Sequence, residues 1–281
     1  MFKVAIPNKG ALSDAAVAIL TEAGYRCKRH GRELFVRDAE HEVEFIYLRP
    51  RDIAIYVGQG IIDAGITGRD LARDSRATVE ERLALGIGRS RFCYAVPKES
   101  GTGPDDFSGM RIATSYPNIV RADLEARGVE ANVVRLDGAV EISIQLGVAD
   151  LIADVVESGR TLVEAGLKIV GEPILTSEAV VVTRPDYDGS DKLDALLRRL
   201  EGILVARAYV LLEYVVPVER RDAACRLTPG VKSPTLSPVS DPDWVAVAAM
   251  VKTKGLNKII DALSELGAQG IIAHDIRTCR L

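Results

Sequence analysis

The 281-residue sequence predicts an α/β chain built as two similar lobes, followed by a smaller β-α-β-β-α-β module. Three features carry that prediction. Apolar, strand-like runs alternate with amphipathic helices along the first two-thirds, the pattern of βαβ units around parallel strands in a doubly wound architecture. A helix, a GxxD exit, a strand and a glycine turn follow one another twice, as Gly60-Ile-Ile-Asp63 before Gly68 and as Gly147-Val-Ala-Asp150 before Gly159. From Tyr209 the order changes to that of a ferredoxin-like module. GxxD is also a common helix exit, so the repeat suggests two lobes with a cleft between them and does not by itself require them.

Taken in order, Phe2 to Ile6 reads as a buried strand and Pro7-Asn8-Lys9-Gly10 as a turn. Ser13 then caps a helix whose Ala16, Ile19, Leu20 and Ala23 share a face before Gly24 stops it. Val43 to Leu48 is a second strand, and Pro50 opens a helix with Ile53, Val57 and Ile61 inward. Ala64 to Gly68 is a short buried strand, Arg69 to Asp74 is helical, and Leu83 to Gly88 and Phe92 to Val96 are strands. After the polar break at Gly101 to Asp106 come strand Arg111 to Thr114, helix Ile119 to Ala126 and strand Asn132 to Leu136. Helix Ala139 to Leu146 and strand Leu151 to Val156 complete that run. Thr176 to Thr183 returns as a strand and Asp191 to Ala208 as a long helix. The module is strand Tyr209 to Val216, helix Val218 to Arg226, strands Ser233 to Leu236 and Trp244 to Val251, helix Asn257 to Leu266 and strand Gly270 to Asp275.

Composition narrows the function. With 47% hydrophobic and 27% charged residues the chain has the makeup of a packed protein, which excludes disorder as its main state. Lys plus Arg number 36 against 40 Asp plus Glu, a net charge of −4, so no global basic field draws the chain to nucleic acid or to an anionic membrane. At 5% aromatic residues it also lacks the material for a base-stacking platform. Any phosphate site is therefore local. Cys27, Cys93, Cys225 and Cys279 form no CxxC pair and read as reduced, mostly structural thiols. The N-terminus enters a strand at once, without a basic segment and an apolar run behind it, and this predicts a cytoplasmic, soluble protein.

Chemistry concentrates in Asp154-Val-Val-Glu157-Ser158-Gly159-Arg160-Thr161-Leu162, a strand that runs out into a glycine turn opening a helix. Backbone N–H groups at the helix start, the hydroxyls of Ser158 and Thr161, the Arg160 guanidinium and the freedom of Gly159 are what a phosphate monoester needs. Asp154 and Glu157 can accept from ribose hydroxyls or hold a hydrated Mg²⁺. By spacing alone the same residues also make a capped helix start.

The pattern that includes this loop decides more. Glu141, Gly147, Ala149, Ile152, Asp154-Val, Ser158-Gly159 and Thr161-Leu162, at their spacing, resemble the signature of the ATP phosphoribosyltransferase family. The resemblance extends through Pro7-Asn-Lys9-Gly, Arg49-Pro-Arg51-Asp52, Gly65-Ile-Thr-Gly68 and Leu136-Asp137-Gly-Ala-Val-Glu141, and the C-terminal module resembles that of the family's long form. It implies a two-lobed body like a type II periplasmic binding protein and a histidine-sensing, ACT-like domain. It implies lobe I at 1–90 plus about 178–207, lobe II at 91–177 and the regulatory domain at 208–281.

The implied reaction joins ATP, through N1 of adenine, to C1 of phosphoribosyl pyrophosphate and releases pyrophosphate, as the first step of histidine biosynthesis. Such a displacement passes through an oxocarbenium-like state and needs an anchored 5-phosphate, a neutralised pyrophosphate and an aimed nitrogen, with Mg²⁺ as cofactor. No covalent nucleophile is required, and His30, His41 and His274 stand in no nucleophile motif.

By resemblance Glu157, Ser158, Gly159, Arg160, Thr161 and Leu162 match the 5-phosphate loop, Asp154 a ribose or metal carboxylate, and Glu141 a ribose or Mg²⁺ contact. Lys9, Arg32, Arg49 and Arg51 are the lobe I cations placed to meet triphosphate or pyrophosphate, or else ordinary solvated surface cations. Thr67, Gly68, Asp70 and Leu71 form the corresponding turn for the nucleotide. Thr235, in Ser233-Pro-Thr235-Leu236, and the loop before Gly270 resemble the histidine-inhibitor region. Val215 stands where some long-form members carry an acidic residue, with Glu213 two positions earlier. The family implies dimers and hexamers. Two rival readings are a solute-binding module of the same fold and a catalytically silent amino-acid sensor; the phosphate-type loop counts against the first.

Overall fold

The computed structural model describes residues 1–31, 33–187 and 191–281, and these divide into two compact units, Met1–Asp194 and Ala195–Leu281. The first unit holds two sheets. In the first lobe β1 (Phe2–Pro7) pairs in parallel with β3 (Val43–Leu48) and β4 (Ala64–Gly68), and β2 (Phe35–Asp38) adds antiparallel to β3. Beyond β4 come β11 (Ala179–Thr183) and β5 (Glu80–Ala84), giving the order β2-β3-β1-β4-β11-β5. In the second lobe β7 (Arg111–Thr114) is parallel to β8 (Asn132–Arg135) and β9 (Leu151–Val156). There β6 (Ser90–Pro97) and β10 (Leu167–Ser177) complete the order β10-β6-β9-β7-β8.

Burial explains the helices. In α1 (Ala11–Glu22) Ala16, Ile19 and Leu20 are fully buried, and in α2 (Pro50–Gly58) Ile53, Ala54 and Val57 are. Gly65 lets α2 lie on β4, because a Cβ there would overlap the Ile53 side chain and stand 3.1 Å from Val57 Cγ2. α3 (Arg69–Ser75) follows β4, and α4 (Pro117–Ala126) follows β7. The second lobe's core is Phe92, Tyr94, Phe107, Ile112, Val120 and Leu151.

The twofold GxxD repeat is structural. Asp63 N–H donates to Lys3 O (3.2 Å) while its carboxylate accepts the Lys3 N–H (2.8 Å), pinning the start of β4 to β1. Asp150 does the same between β9 and β7, with Asp150 N–H to Arg111 O at 2.9 Å and Arg111 N–H to its Oδ2 at 2.8 Å. Gly60 and Gly147 both take positive φ, 74° and 69°, to make the exit turn that aims each aspartate.

Several expectations are corrected. Gly10, not Ser13, precedes α1, and Ser13 is buried inside it. α2 stops at Gly58, so Ile61 lies outside it and is exposed. β2 was not expected, because Phe35-Val-Arg-Asp38 is short, polar-flanked and mostly exposed. The strand expected at Leu83 to Gly88 is Glu80–Ala84, since Gly86 and Gly88 turn the chain toward the second lobe. The single strand expected at Thr176 to Thr183 is two strands in different sheets, β10 and β11, separated only by Glu178. In place of the helix at Ala139 to Leu146 there is a 3₁₀ turn, Val140–Ser143. Ala139 enters it left-handed (φ 47°) and the Ser143 hydroxyl donates back to Val140 O (2.6 Å), a local bond that competes with helix continuation.

The second unit carries most of α6 (Asp191–Ala208) and an antiparallel sheet of order β13-β14-β12-β15, made by β12 (Tyr209–Pro217), β13 (Thr235–Pro238), β14 (Trp244–Lys252) and β15 (Gln269–Asp275). With α7 (Arg221–Leu227) and α8 (Leu256–Glu265) this is the ferredoxin-like arrangement. Alternate β12 residues Val210, Leu212, Tyr214 and Val216 form its core with Ala224, Val247 and Leu263.

Candidate active site

β9 leads into the chemically dense loop. After Val156 the chain turns through Glu157 and Ser158 to Gly159, which takes φ 78°, and α5 (Arg160–Glu164) starts there. A cavity of about 280 Å³ opens at this point, lined by Glu141, Asp154, Glu157, Ser158, Gly159, Thr161 and Leu162 together with Val155 and Val156. Among the described residues no backbone acceptor claims the N–H groups of Ser158, Gly159 or Thr161. Leu162 is buried against the second lobe's core and fixes the turn from behind. A rigid turn with uncommitted N–H groups and two hydroxyls is an anion cradle.

Arg160 is the exception in that loop. Its guanidinium donates to Glu164 Oε1 (3.0 Å) and is 84% exposed, so it does not line the cavity; its backbone N–H faces Ser158 Oγ at 3.4 Å. Burial pushes the Asp154 carboxyl above the ordinary aspartate range. The Val155 N–H, at 2.8 Å from Oδ1, and Arg51 oppose that shift, while Glu141 and Asp70 add to it.

The facing lobe supplies the other side. Arg51 stands 4.5 Å over the Tyr116 ring, and its Nη1 is 3.5 Å from Asp74 Oδ2. Asp70 is buried, its Oδ1 accepting the Leu71 N–H (2.9 Å) and its own N–H donating to Ser177 Oγ (3.1 Å). Burial pushes the Tyr116 phenol well above its usual range, Asp70 and Asp154 push it further, and Arg51 pulls the other way. Residues of both lobes therefore act on one ring. The sequence reading missed Tyr116; its only signal is Ser115-Tyr116-Pro117 at the end of a strand that opens a helix, which is where open α/β sheets bind ligands.

The remaining residues are less uniform. Lys9 and Arg49 are exposed, Arg49 ending a strand–helix turn whose carbonyl accepts the Asp52 N–H (2.9 Å). Thr67 is fully buried and its hydroxyl donates to Pro50 O (2.8 Å), so the side chain positions α2 and is not open to a ligand. Gly68 is buried, with the Asp70 carboxylate against its Cα, and Leu71 is half-buried. Arg32 lies outside the described residues.

In the second unit Thr235 and Gly270 lie on opposite edges of the sheet, in β13 and β15, roughly 14 Å apart at ordinary strand spacing. The fold of one chain does not bring them together. Glu213 pairs with His274 Nε2 (3.1 Å) across β12 and β15, and Val215 sits in the same strand opposite Ala246 and Gln269. Among the described residues no three His, Cys, Asp or Glu side chains form a metal cage, and no helix is long and apolar enough to cross a membrane.

An α/β body with uncommitted N–H groups and hydroxyls at one strand end, and with Arg51 and Asp70 of the other lobe acting on Asp154 and Tyr116, defines a two-lobed fold with a polar site suited to an anionic ligand. Comparison with known proteins makes this specific. The family profile of ATP phosphoribosyltransferase matches residues 49–202, and that of its C-terminal domain matches 206–278. ATP phosphoribosyltransferase from Salinibacter ruber is 56% identical over the full length of both chains, and that from Mycobacterium tuberculosis is 53% identical, also over both full lengths. A chain of the ATP phosphoribosyl transferase (HisG:HisZ) complex from Thermotoga maritima superposes with a TM-score of 0.64 at 28% identity, covering 73% of this chain and 98% of its own. A periplasmic sulfonate-binding protein from Methylobacillus flagellatus, 15% identical with a TM-score of 0.50 over 80% of this chain and 72% of its own, shares the two-lobed fold. The chain belongs to the ATP phosphoribosyltransferase family, in its long form, and is a pentosyltransferase enzyme of histidine biosynthesis.

Proposed function

We propose that this enzyme condenses ATP with 5-phosphoribosyl 1-pyrophosphate to N1-(5-phosphoribosyl)-ATP and pyrophosphate. In that step adenine N1 forms a bond to ribose C1, the C1–O bond breaks, and its electron pair leaves with pyrophosphate. The observation that supports it most is the cradle: uncommitted N–H groups at Ser158, Gly159 and Thr161 on a cavity that also presents Asp154 and Glu141. The cradle fits the 5-phosphate, with Glu157, Leu162 and the Arg160 backbone completing the loop. Asp154, near the end of β9 on the same cavity, is the carboxylate offered to the ribose hydroxyls. Holding the sugar at both ends is how such a site supplies orientation, since the developing positive charge on the ring needs no covalent help.

Mg²⁺ fits this donor set. Glu141 and Asp154 share the cavity with Glu157, and magnesium is commonly held by one or two carboxylates plus substrate phosphates. Bound there, it supplies charge neutralisation for the leaving pyrophosphate. Lys9, Arg49 and Arg51 approach from the first lobe to receive the phosphates of ATP or pyrophosphate. Gly68, Asp70 and Leu71 form the turn that meets the nucleotide, with Thr67 holding it to α2 from behind.

The C-terminal module takes histidine as a feedback inhibitor at Thr235 and Gly270. Because these lie on opposite sheet edges, one pocket containing both joins two copies of the chain, which agrees with the expected homo-oligomer of dimers and hexamers. The protein acts in the cytoplasm. We divide it as 1–90 with about 178–207, 91–177, and 208–281.

The test is an ultraviolet absorbance assay with ATP, phosphoribosyl pyrophosphate, Mg²⁺ and pyrophosphatase, with and without histidine, repeated on Thr235→Ala. Growth of the phosphoribosyl-ATP band, suppressed by histidine in the parent and less so in the variant, is expected. A folded protein that gives no band refutes the activity; equal inhibition of both proteins refutes the inhibitor site.

A further inference from the structure

Asp74 makes bonds that its own lobe does not explain. It sits in the last turn of α3, where a negative charge opposes the helix dipole, and it is only 8% exposed. Its hydrogen-bond partners, Asn118 and Ile119, lie on the other lobe. Oδ1 accepts the backbone N–H groups of Asn118 (2.9 Å) and Ile119 (3.3 Å), the first free donors of α4, which has no side-chain cap from its own N-cap residue, Tyr116. The contact is reciprocal, since Asn118 Nδ2 donates to the Asp74 carbonyl (2.7 Å). The second carboxylate oxygen faces Arg51 at 3.5 Å, and Arg51 in turn stands over the ring of Tyr116.

From this we infer that Asp74 is a positioning residue, a cap reaching across from the first lobe that fastens α4 and sets the closed spacing between Arg51 on one wall of the cleft and Tyr116 and Asp154 on the other. A rotation that opens the cleft draws α3 from α4 and breaks both N–H bonds together. Among the described residues Asp74 makes no bond to the phosphate cradle. Its loss leaves the phosphate cradle of the second lobe intact and removes the alignment of the two lobes, so the defect falls on turnover. The kinetic part of the inference rests on the proposed reaction; the structural part does not.

The experiment pairs amide hydrogen exchange with steady-state kinetics on the full chain. In the parent, the Asn118 and Ile119 amides are slow to exchange. In Asp74→Ala they become fast, the interior of α4 does not change, and kcat falls by about tenfold or more while the dissociation constant for phosphoribosyl pyrophosphate stays within about twofold. Asp74→Asn keeps an acceptor oxygen and restores both protection and most of kcat. Asn118→Asp sets a carboxylate against Asp74 from the other lobe and reproduces the loss, which decides the matter should Asp74→Ala fail to fold. Fast exchange of both amides in the parent overturns the fastener whatever the activity. Parent-like kcat in Asp74→Ala or Asn118→Asp, or a fall in substrate affinity that matches the fall in kcat, overturns the positioning role.

Discussion

Gly159→Ala isolates the geometry of the phosphate cradle. The residue holds φ 78° and ψ 0°, and a Cβ built there meets only Val156 Cγ1, at 3.7 Å, an ordinary contact. No clash accompanies the change, so its cost is conformational, about 1–2 kcal/mol for a left-handed alanine. The cavity loop lies at the surface and yields before the sheets do, so that cost appears as a smaller population of the binding-ready turn. A penalty of ~1.4 kcal/mol reduces that population about tenfold, and the apparent dissociation constant for phosphoribosyl pyrophosphate rises by the same factor. Alanine also stiffens the unfolded chain by ~0.4–1 kcal/mol, so the loss in Tm is only ~1–4 °C. Titration calorimetry with phosphoribosyl pyrophosphate and Mg²⁺ reads the effect, and Gly159→Asn, which tolerates the same conformation, falls between parent and alanine. Unchanged affinity in Gly159→Ala refutes the claim that this turn holds the phosphate.

Three further outcomes follow from the same structure. Asp154→Asn abolishes activity yet melts higher than the parent at neutral pH. The folded-state pKa of Asp154 is raised above its unfolded value, so the ionised carboxylate costs stability; the cost is relieved as pH falls through the folded value, and the variant's advantage vanishes below about pH 4. A lower melting temperature for Asp154→Asn at neutral pH contradicts this. Arg160→Ala changes Tm by less than about 1 °C, because its pair with Glu164 is exposed, and it weakens phosphoribosyl pyrophosphate binding less than Gly159→Ala does; the reverse order shows that the guanidinium and not the backbone anchors the substrate. Gly65→Ala drives a methyl into Ile53 and costs about 1–3 kcal/mol, seen as a fall in melting temperature of several degrees.

Much of this was legible because it rests on local rules. The βα alternation, the span of α6 and of β9, and the ferredoxin-like order all follow from periodicity and turn residues. The two aspartates of the GxxD exits turned out to make the same backbone bonds in each lobe, so the repeat recorded a shared structure. What escaped depends on distant parts of the chain. The switch of sheet at Glu178 is not marked by a glycine or proline, and nothing in Thr176 to Thr183 says which neighbour each half pairs with. The 3₁₀ turn at Val140–Ser143 shares its apolar spacing with a helix and differs by the left-handed Ala139 and one serine bond.

The site divides along the same line. Asp154 and the residues from Glu157 to Leu162 other than Arg160 lie within one strand-loop-helix segment and line one cavity, so a sequence motif describes them. Tyr116, Arg51, Asp70 and Asp74 meet only because two lobes face each other, and no short motif contains that. Thr235 and Gly270 were grouped by resemblance, and the sheet order separates them. Thr67 was grouped with the nucleotide turn by resemblance, and its hydroxyl is committed to Pro50 O.

The most direct measurement is a crystal structure of the enzyme with phosphoribosyl pyrophosphate and Mg²⁺. The 5-phosphate is expected within hydrogen-bonding distance of the Ser158, Gly159 and Thr161 amides, with the ribose hydroxyls toward Asp154. A 5-phosphate seated instead among Lys9, Arg49 and Arg51, with the loop from Glu157 to Leu162 untouched, contradicts it.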